Sequence, residues 1–347
     1  MINKKALISG LVVSLACSYG GYRLHKDNPY ISEEIIPRIT NESLIPDKIS
    51  DIYKNTMNIY KENFPEYNDL FDERMKDIRI HVGSVNKYTN EPMTGSVFVQ
   101  KKDQLLIIPS RMSKDFPHEA LHALTDKEST GVLGLKKSSG LGTAVNEGFA
   151  TLVHSELFLD NPIEIEEDTL YNVELSSARI ITSIVGKDKM IKYFFEEEYS
   201  IDEVINELGI VIKNEELANE YIIALDDYNK NLTDYALMYT RYKNNQDMYK
   251  GEVLELFNKL TSSLEKVFSL SYKVMNNYIK STDIDSDYII WFNDQMDYMQ
   301  NKFTIENFDE NYYEYLDVID KLSFNSEVDS YKYKALIKED KTSYWYK

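Results

Sequence analysis

Five histidines occur in the 347-residue chain, and two of them stand four apart in Phe116-Pro117-His118-Glu119-Ala120-Leu121-His122. On an α-helix, residues i and i+4 lie one turn apart on nearly the same face. His118 and His122 can therefore present both imidazoles to one ion, and zinc accepts imidazole nitrogen at about 2.0–2.1 Å. Glu119, one step round the helix, is placed to take a proton from a zinc-activated water and later pass it to a leaving amine. With five His and 31 Glu in the chain, chance produces roughly 0.006 H-E-x-x-H patterns. The competing reading is two exposed histidines on a charged helix face. Leu121 and Leu124 speak against it, because they fit an amphipathic helix packed on other structure.

A catalytic zinc needs a third protein ligand and keeps its fourth position open. Asn146-Glu147-Gly148-Phe149-Ala150 offers Glu147, on a second predicted helix with 24 residues between it and His122. Glu156 on the same helix is the competitor.

Those helices need a scaffold. Asp47 can cap a helix carrying Ile49, Ile52, Tyr53, Met57 and Tyr60 at three- and four-residue intervals. Ile78–Val82 alternates as a strand. Ser96–Gln100 and Gln104–Ile108 pair as a hairpin across Lys101-Lys102-Asp103, and Pro109 ends it. After the His118 helix, Gly131, Gly134, Gly140 and Gly142 interrupt any regular element and let the chain turn back. Thr143 opens the second helix, which runs to about Leu159 before Asn161-Pro162. Beyond Asp168 the apolar spacing (Ala178, Ile181, Ile184, Val185) predicts helices, and Ser200 with Glu203 reads as a capping box. The expected fold class is α+β. A catalytic core over 47–160 combines a small sheet, its hairpin and the active-site helix, and a mostly α-helical C-terminal lobe over 161–347 follows.

The run from His118 to Asp126 resembles the active-site helix of thermolysin-like metallopeptidases. Asn146-Glu147 resembles the downstream Asn-Glu that gives gluzincins their glutamate ligand. The resemblance implies a zincin fold, one zinc ion held by His118, His122 and Glu147, and peptide-bond hydrolysis with Glu119 as base. It covers about Ile78 to Leu159. The interval between the motifs is longer than in thermolysin-like enzymes, which points to a distinct gluzincin family. Gluzincin aminopeptidases share the Asn-Glu-Gly-Phe-Ala wording, but their Gly-Ala-Met-Glu-Asn segment has no counterpart here, so an endopeptidase is expected. In zincins the edge strand above the active-site helix binds the substrate main chain, a part that falls to Ser96–Gln100. Thr151, at the position where thermolysin-like enzymes carry an aspartate, is a candidate partner for a ligating histidine, as are Asp126 and Asn146. Candidates for stabilising the oxyanion are His154, seven residues after Glu147, and Tyr171, with Tyr239, Arg241 and Tyr242 as further options. His81, on a predicted strand, reads as structural.

At the N-terminus Lys4 and Lys5 precede the apolar stretch Ala6–Ala16, which is the pattern of an export signal. The only cysteine, Cys17, follows in Ser14-Leu15-Ala16-Cys17. This resembles the lipobox of bacterial lipoproteins, although Ser14 stands where leucine is preferred. An uncleaved anchor over Ala6–Tyr22 and a cleaved signal are the rival readings. Residues 1–22 are thus an export signal or membrane anchor and 23–46 a tether. The charge balance of 58 acidic against 39 basic residues, net −19, argues against a nucleic-acid partner and for basic peptide or protein substrates. One cysteine excludes a disulfide framework. The expectation is an extracytoplasmic zinc metallopeptidase, membrane-tethered or secreted. Its rivals are a catalytically inactive zincin-fold scaffold at the cell envelope and a helical interaction protein in which the motif is accidental.

Overall fold

The computed structural model describes residues 34–35 and 47–300, apart from 87, 89–90, 94, 159–171, 245 and 285. The lipobox-like Cys17, Tyr171 and the chain after 300 lie outside the described residues. The fold is mixed α+β, mostly helical, with a small sheet.

Strand β1 (Glu34–Ile35) comes from the stretch read as a tether. Helices α1 (Asp47–Asn63) and α2 (Asn68–Met75) follow. Ile49, Met57 and Tyr60 on α1 are buried, as their spacing requires. Strands β2 (Arg79–Val82), β3 (Val85–Asn86), β4 (Glu91–Pro92), β5 (Val97–Val99) and β6 (Gln104–Ile107) come next. The hairpin expected at 96–108 is β5–β6, antiparallel with Phe98 opposite Leu105. Its turn closes through Asp103 in the left-handed region, φ 47°. β6 is buried throughout and also pairs in parallel with β2, giving the order β1-β2-β6-β5. A strand covered on both sides reads as a continuous apolar run, and Leu105-Leu106-Ile107 does. β5 is left at the edge.

Helix α3 (Met112–Leu124) packs across β5 and β6. A short ribbon, β7 (Asp126–Lys127) with β8 (Val132–Leu133), leads to α4 (Thr143–Phe158). Then come α5 (Asn172–Val185), α6 (Lys187–Phe195), α7 (Ile201–Val211), α8 (Glu215–Asn244), α9 (Gln246–Ser281) and α10 (Ser286–Gln300). The capping box at Ser200 is present. The Asp202 amide donates to Ser200 Oγ at 3.2 Å, and Glu203 accepts from the Ser200 amide at 2.7 Å. Helix α5 is buried on almost every side, against α4, α7 and α10, and one continuous core runs from Ile49 to Met299. No described helix is long and apolar enough to cross a membrane.

Candidate metal centre

Helix α3 points one face into the protein, burying Phe116, Ala120, Leu121, Ala123 and Leu124. Its position is fixed at several points. Tyr60 of α1 donates its hydroxyl to the Pro117 carbonyl at 2.7 Å. At the C-terminal end, where carbonyls lack helical partners, Arg74 donates to the Leu124 carbonyl. His118 and His122 leave this helix one turn apart and bring their Nε2 atoms to 3.1 Å.

Helix α4 brings Glu147 to meet them from 25 residues downstream of His122. Its Oε2 lies 3.3 Å from His122 Nε2 and 3.6 Å from His118 Nε2. Three supports hold α4 there. Asp226, from α8, accepts from the Gly142 and Ala144 amides at 2.7 and 2.8 Å, capping the helix from outside its own sequence. Gly148 lets α5 approach, since a Cβ there would sit 2.2 Å from the Glu174 carbonyl oxygen. Gly134, at φ +55°, leaves room for the Asn146 side chain, whose Oδ1 accepts from the Leu135 amide at 3.0 Å. The same Asn146 places Nδ2 3.4 Å from His122 Nδ1. Lys127, fully buried, donates from Nζ to the carbonyls of Gly134, Tyr193 and Tyr199 at 2.7–2.8 Å and so pins the loop that carries Leu135.

His118, His122 and Glu147 together could hold a metal ion. Two imidazole nitrogens and a carboxylate oxygen point their lone pairs at one spot, an arrangement that repels itself unless a proton or cation lies between. A tetrahedral ion with bonds of about 2.0–2.1 Å requires its ligand atoms roughly 3.3–3.4 Å apart. The separations of 3.1, 3.3 and 3.6 Å bracket that value. His122 is buried while His118 and Glu147 stay partly exposed, so one side of the group is open. Burial alone would raise the Glu147 carboxyl, but charge and hydrogen bonding from His122 and His118 hold it well below the usual carboxylate range. It is a ready anion at neutral pH.

Glu119 accepts from the Phe98 amide of the edge strand at 2.7 Å. The dense surroundings push its carboxyl up to about 8, against a downward pull from His118, and Glu147 adds to the rise. Such a group can hold a proton and release it near neutrality.

The other candidates fall as follows. Glu156 is not part of the ligand group. His154 is buried beside His118, ring centres 6.0 Å apart, and burial with His118 and Lys114 nearby pushes it down to about 3, so the ring is neutral. The Thr151 hydroxyl is buried and makes no hydrogen bond among the described residues. Asp126 accepts from Gln100 Nε2 at 2.7 Å. Tyr239 and Tyr242 belong to an aromatic stack with Tyr235 on α8, and Arg241 is exposed. His81 is buried in β2. Sequence reasoning missed Asp226, Lys127 and the Phe98 amide. The first two act over long stretches of chain, and the third is a main-chain group with no sequence signature. Compared with protein-family models, curated proteins and solved structures, the chain matches none of them.

Proposed function

We propose that this protein is a zinc-dependent endopeptidase of zincin type, working outside the cytoplasm on peptide or protein substrates. The observation that carries the reading is the convergence of His118, His122 and Glu147 beside a carboxylate, Glu119, that touches an open sheet edge. Two imidazoles and one carboxylate form a donor set suited to zinc, with the open side left for solvent and substrate. When bound, the ion supplies Lewis acidity toward a water and an amide carbonyl.

The residues of this chain divide the remaining work. Glu119 takes a proton on its carboxylate and returns it to the departing amine. Its surroundings, which favour the protonated form, suit the second half of that task. A histidine that gives its Nε2 lone pair to a cation carries its proton on Nδ1 and needs an acceptor there. For His122 the neighbouring group is Asn146, whose Nδ2 lies 3.4 Å from Nδ1 while its Oδ1 is held by the Leu135 amide. The β5 edge aligns an extended peptide beside Glu119, and neutral His154, next to His118, can donate a hydrogen bond. Basic substrates accord with the net charge of −19. The N-terminal pattern around Cys17 supports a membrane tether or secretion.

The test is Glu119→Gln. It should retain one zinc per chain and lose cleavage by about a thousandfold or more. A zinc-loaded wild-type protein that cleaves nothing in a broad peptide library would instead mark the centre as an inactive, scaffold-like site.

A further inference from the structure

The edge strand and the helix beneath it are joined by a regular set of contacts. Ser96 Oγ donates to Asp115 Oδ2, the Phe98 amide to Glu119 Oε2, and Gln100 Nε2 to Asp126 Oδ1, each at 2.7 Å. Phe98 in the strand and the two residues that flank the strand, Ser96 and Gln100, thus meet two acids of α3 and one at the start of β7. The outer two bonds come from side chains. Asp115 is held further by Arg111 at 3.0 Å, and Ser96 Oγ also accepts from the Ile108 amide at 3.0 Å. The middle bond alone uses a main-chain donor.

That donor faces outward. Phe98 lies opposite Leu105, and an antiparallel residue whose amide turns away from its partner strand turns its carbonyl the same way. The N–H that Glu119 occupies is therefore on the open edge, where an added strand would place a carbonyl oxygen.

We propose that Glu119 is a latch on this edge: it occupies the Phe98 amide in the free protein, and an extended peptide main chain displaces it. The inference rests on the peptidase reading and deepens it. Docking of a backbone carbonyl at Phe98 releases the Glu119 carboxylate for proton transfer, so the base is freed only when an extended chain is in register. The Ser96–Asp115 and Gln100–Asp126 bonds keep strand and helix together while the middle bond opens. Substrates must then present a continuous extended main chain, and a ligand without a carbonyl at this register leaves the base engaged.

The test uses the full chain, stripped of metal so that nothing is cleaved, and an uncharged, acetylated and amidated hexapeptide of Val, Thr and Ala. Binding is measured at pH 9, where the Glu119 carboxyl is ionised, and a charged acceptor holds an amide more tightly than a neutral one. Glu119→Ala should therefore bind the peptide at least about tenfold more tightly than wild type, with Glu119→Gln in between. In Glu119→Ala without peptide, the Phe98 amide proton should shift upfield and exchange faster, and peptide should restore its protection. Equal or weaker binding by Glu119→Ala, or no binding to any of the three, overturns the latch. Cleavage by zinc-loaded wild type together with equal affinities rejects the latch and keeps the peptidase. Tighter binding by Glu119→Ala without any wild-type cleavage supports the latch and rejects the peptidase.

Discussion

Helices α3 and α4 share the three side chains that could hold a metal ion but are held by different means. α3 carries two of them within five consecutive residues and rests on neighbours of its own half of the chain, Tyr60 and Arg74. α4 carries one, and its place depends on Asp226, Glu174 and Gly134, contributed by three other segments. One half of the centre is local and the other is assembled. Damage should therefore spread differently. A ligand lost from α3 removes metal and little else, whereas a disturbed contact on α4 removes stability and metal together.

The largest expected effect is at the α4–α5 crossing. Gly148→Val places a branched side chain where even a Cβ sits 2.2 Å from the Glu174 carbonyl. We expect a loss of more than about 3 kcal/mol in urea unfolding of the metal-free chain, with weakened zinc binding. His118→Ala, by contrast, should abolish stoichiometric zinc while changing metal-free stability by less than about 1 kcal/mol. Equal damage from both variants would erase the distinction between the helices.

Glu174 offers a pH test of the same crossing. It is fully buried. Oε1 accepts from Asn229 at 2.9 Å, and Oε2 has no hydrogen-bond partner among the described residues. Burial raises its carboxyl to about 7, against a downward effect of the Asn229 bond. The folded state thus holds this proton more tightly than the unfolded chain. Its stability contribution is complete below about 4.5 and is lost as pH rises towards 7, a change of roughly 3 kcal/mol. Glu174→Gln should cancel that slope and make the metal-free protein more stable than wild type at pH 8, but not at pH 4. Parallel stability curves for the two proteins would show that Glu174 does not titrate there.

The smallest of the three concerns the cap. Asp226→Ala removes both acceptors from the α4 N-terminus, and we expect a loss of about 1–2 kcal/mol in thermal unfolding. Zinc affinity should fall by about tenfold, because Glu147 lies within the first turns of that helix. An unchanged affinity would show that α5 alone sets the position of Glu147.

These dependencies explain what could be read in advance. The α3 half was legible because helical periodicity, the histidine spacing and the hairpin before it are encoded in contiguous residues such as Ser96–Gln100 and His118–His122. The existence of α4 was legible from Thr143 onward and the convergence of Glu147 from its Asn-Glu context. The means of convergence were not. Asp226 is one acid among 58, and nothing near it marks it as the cap of a helix about 80 residues earlier. The glycines at 134 and 148 read as turn or helix residues; only the neighbours Asn146 and Glu174 show that each is a close approach. Nothing in the sequence around Lys127 sets it apart, and it is buried on three carbonyls.

The central claim is that two neighbouring imidazoles and one distant carboxylate grip a single zinc ion. Zinc titration of the full chain, alongside Glu147→Ala and Glu156→Ala, tests it most directly. The account predicts one zinc per wild-type chain, an affinity lowered by more than about a hundredfold in Glu147→Ala, and no change in Glu156→Ala. A wild-type protein that takes up no stoichiometric metal, or a Glu147→Ala variant that binds it as tightly as wild type, would contradict it.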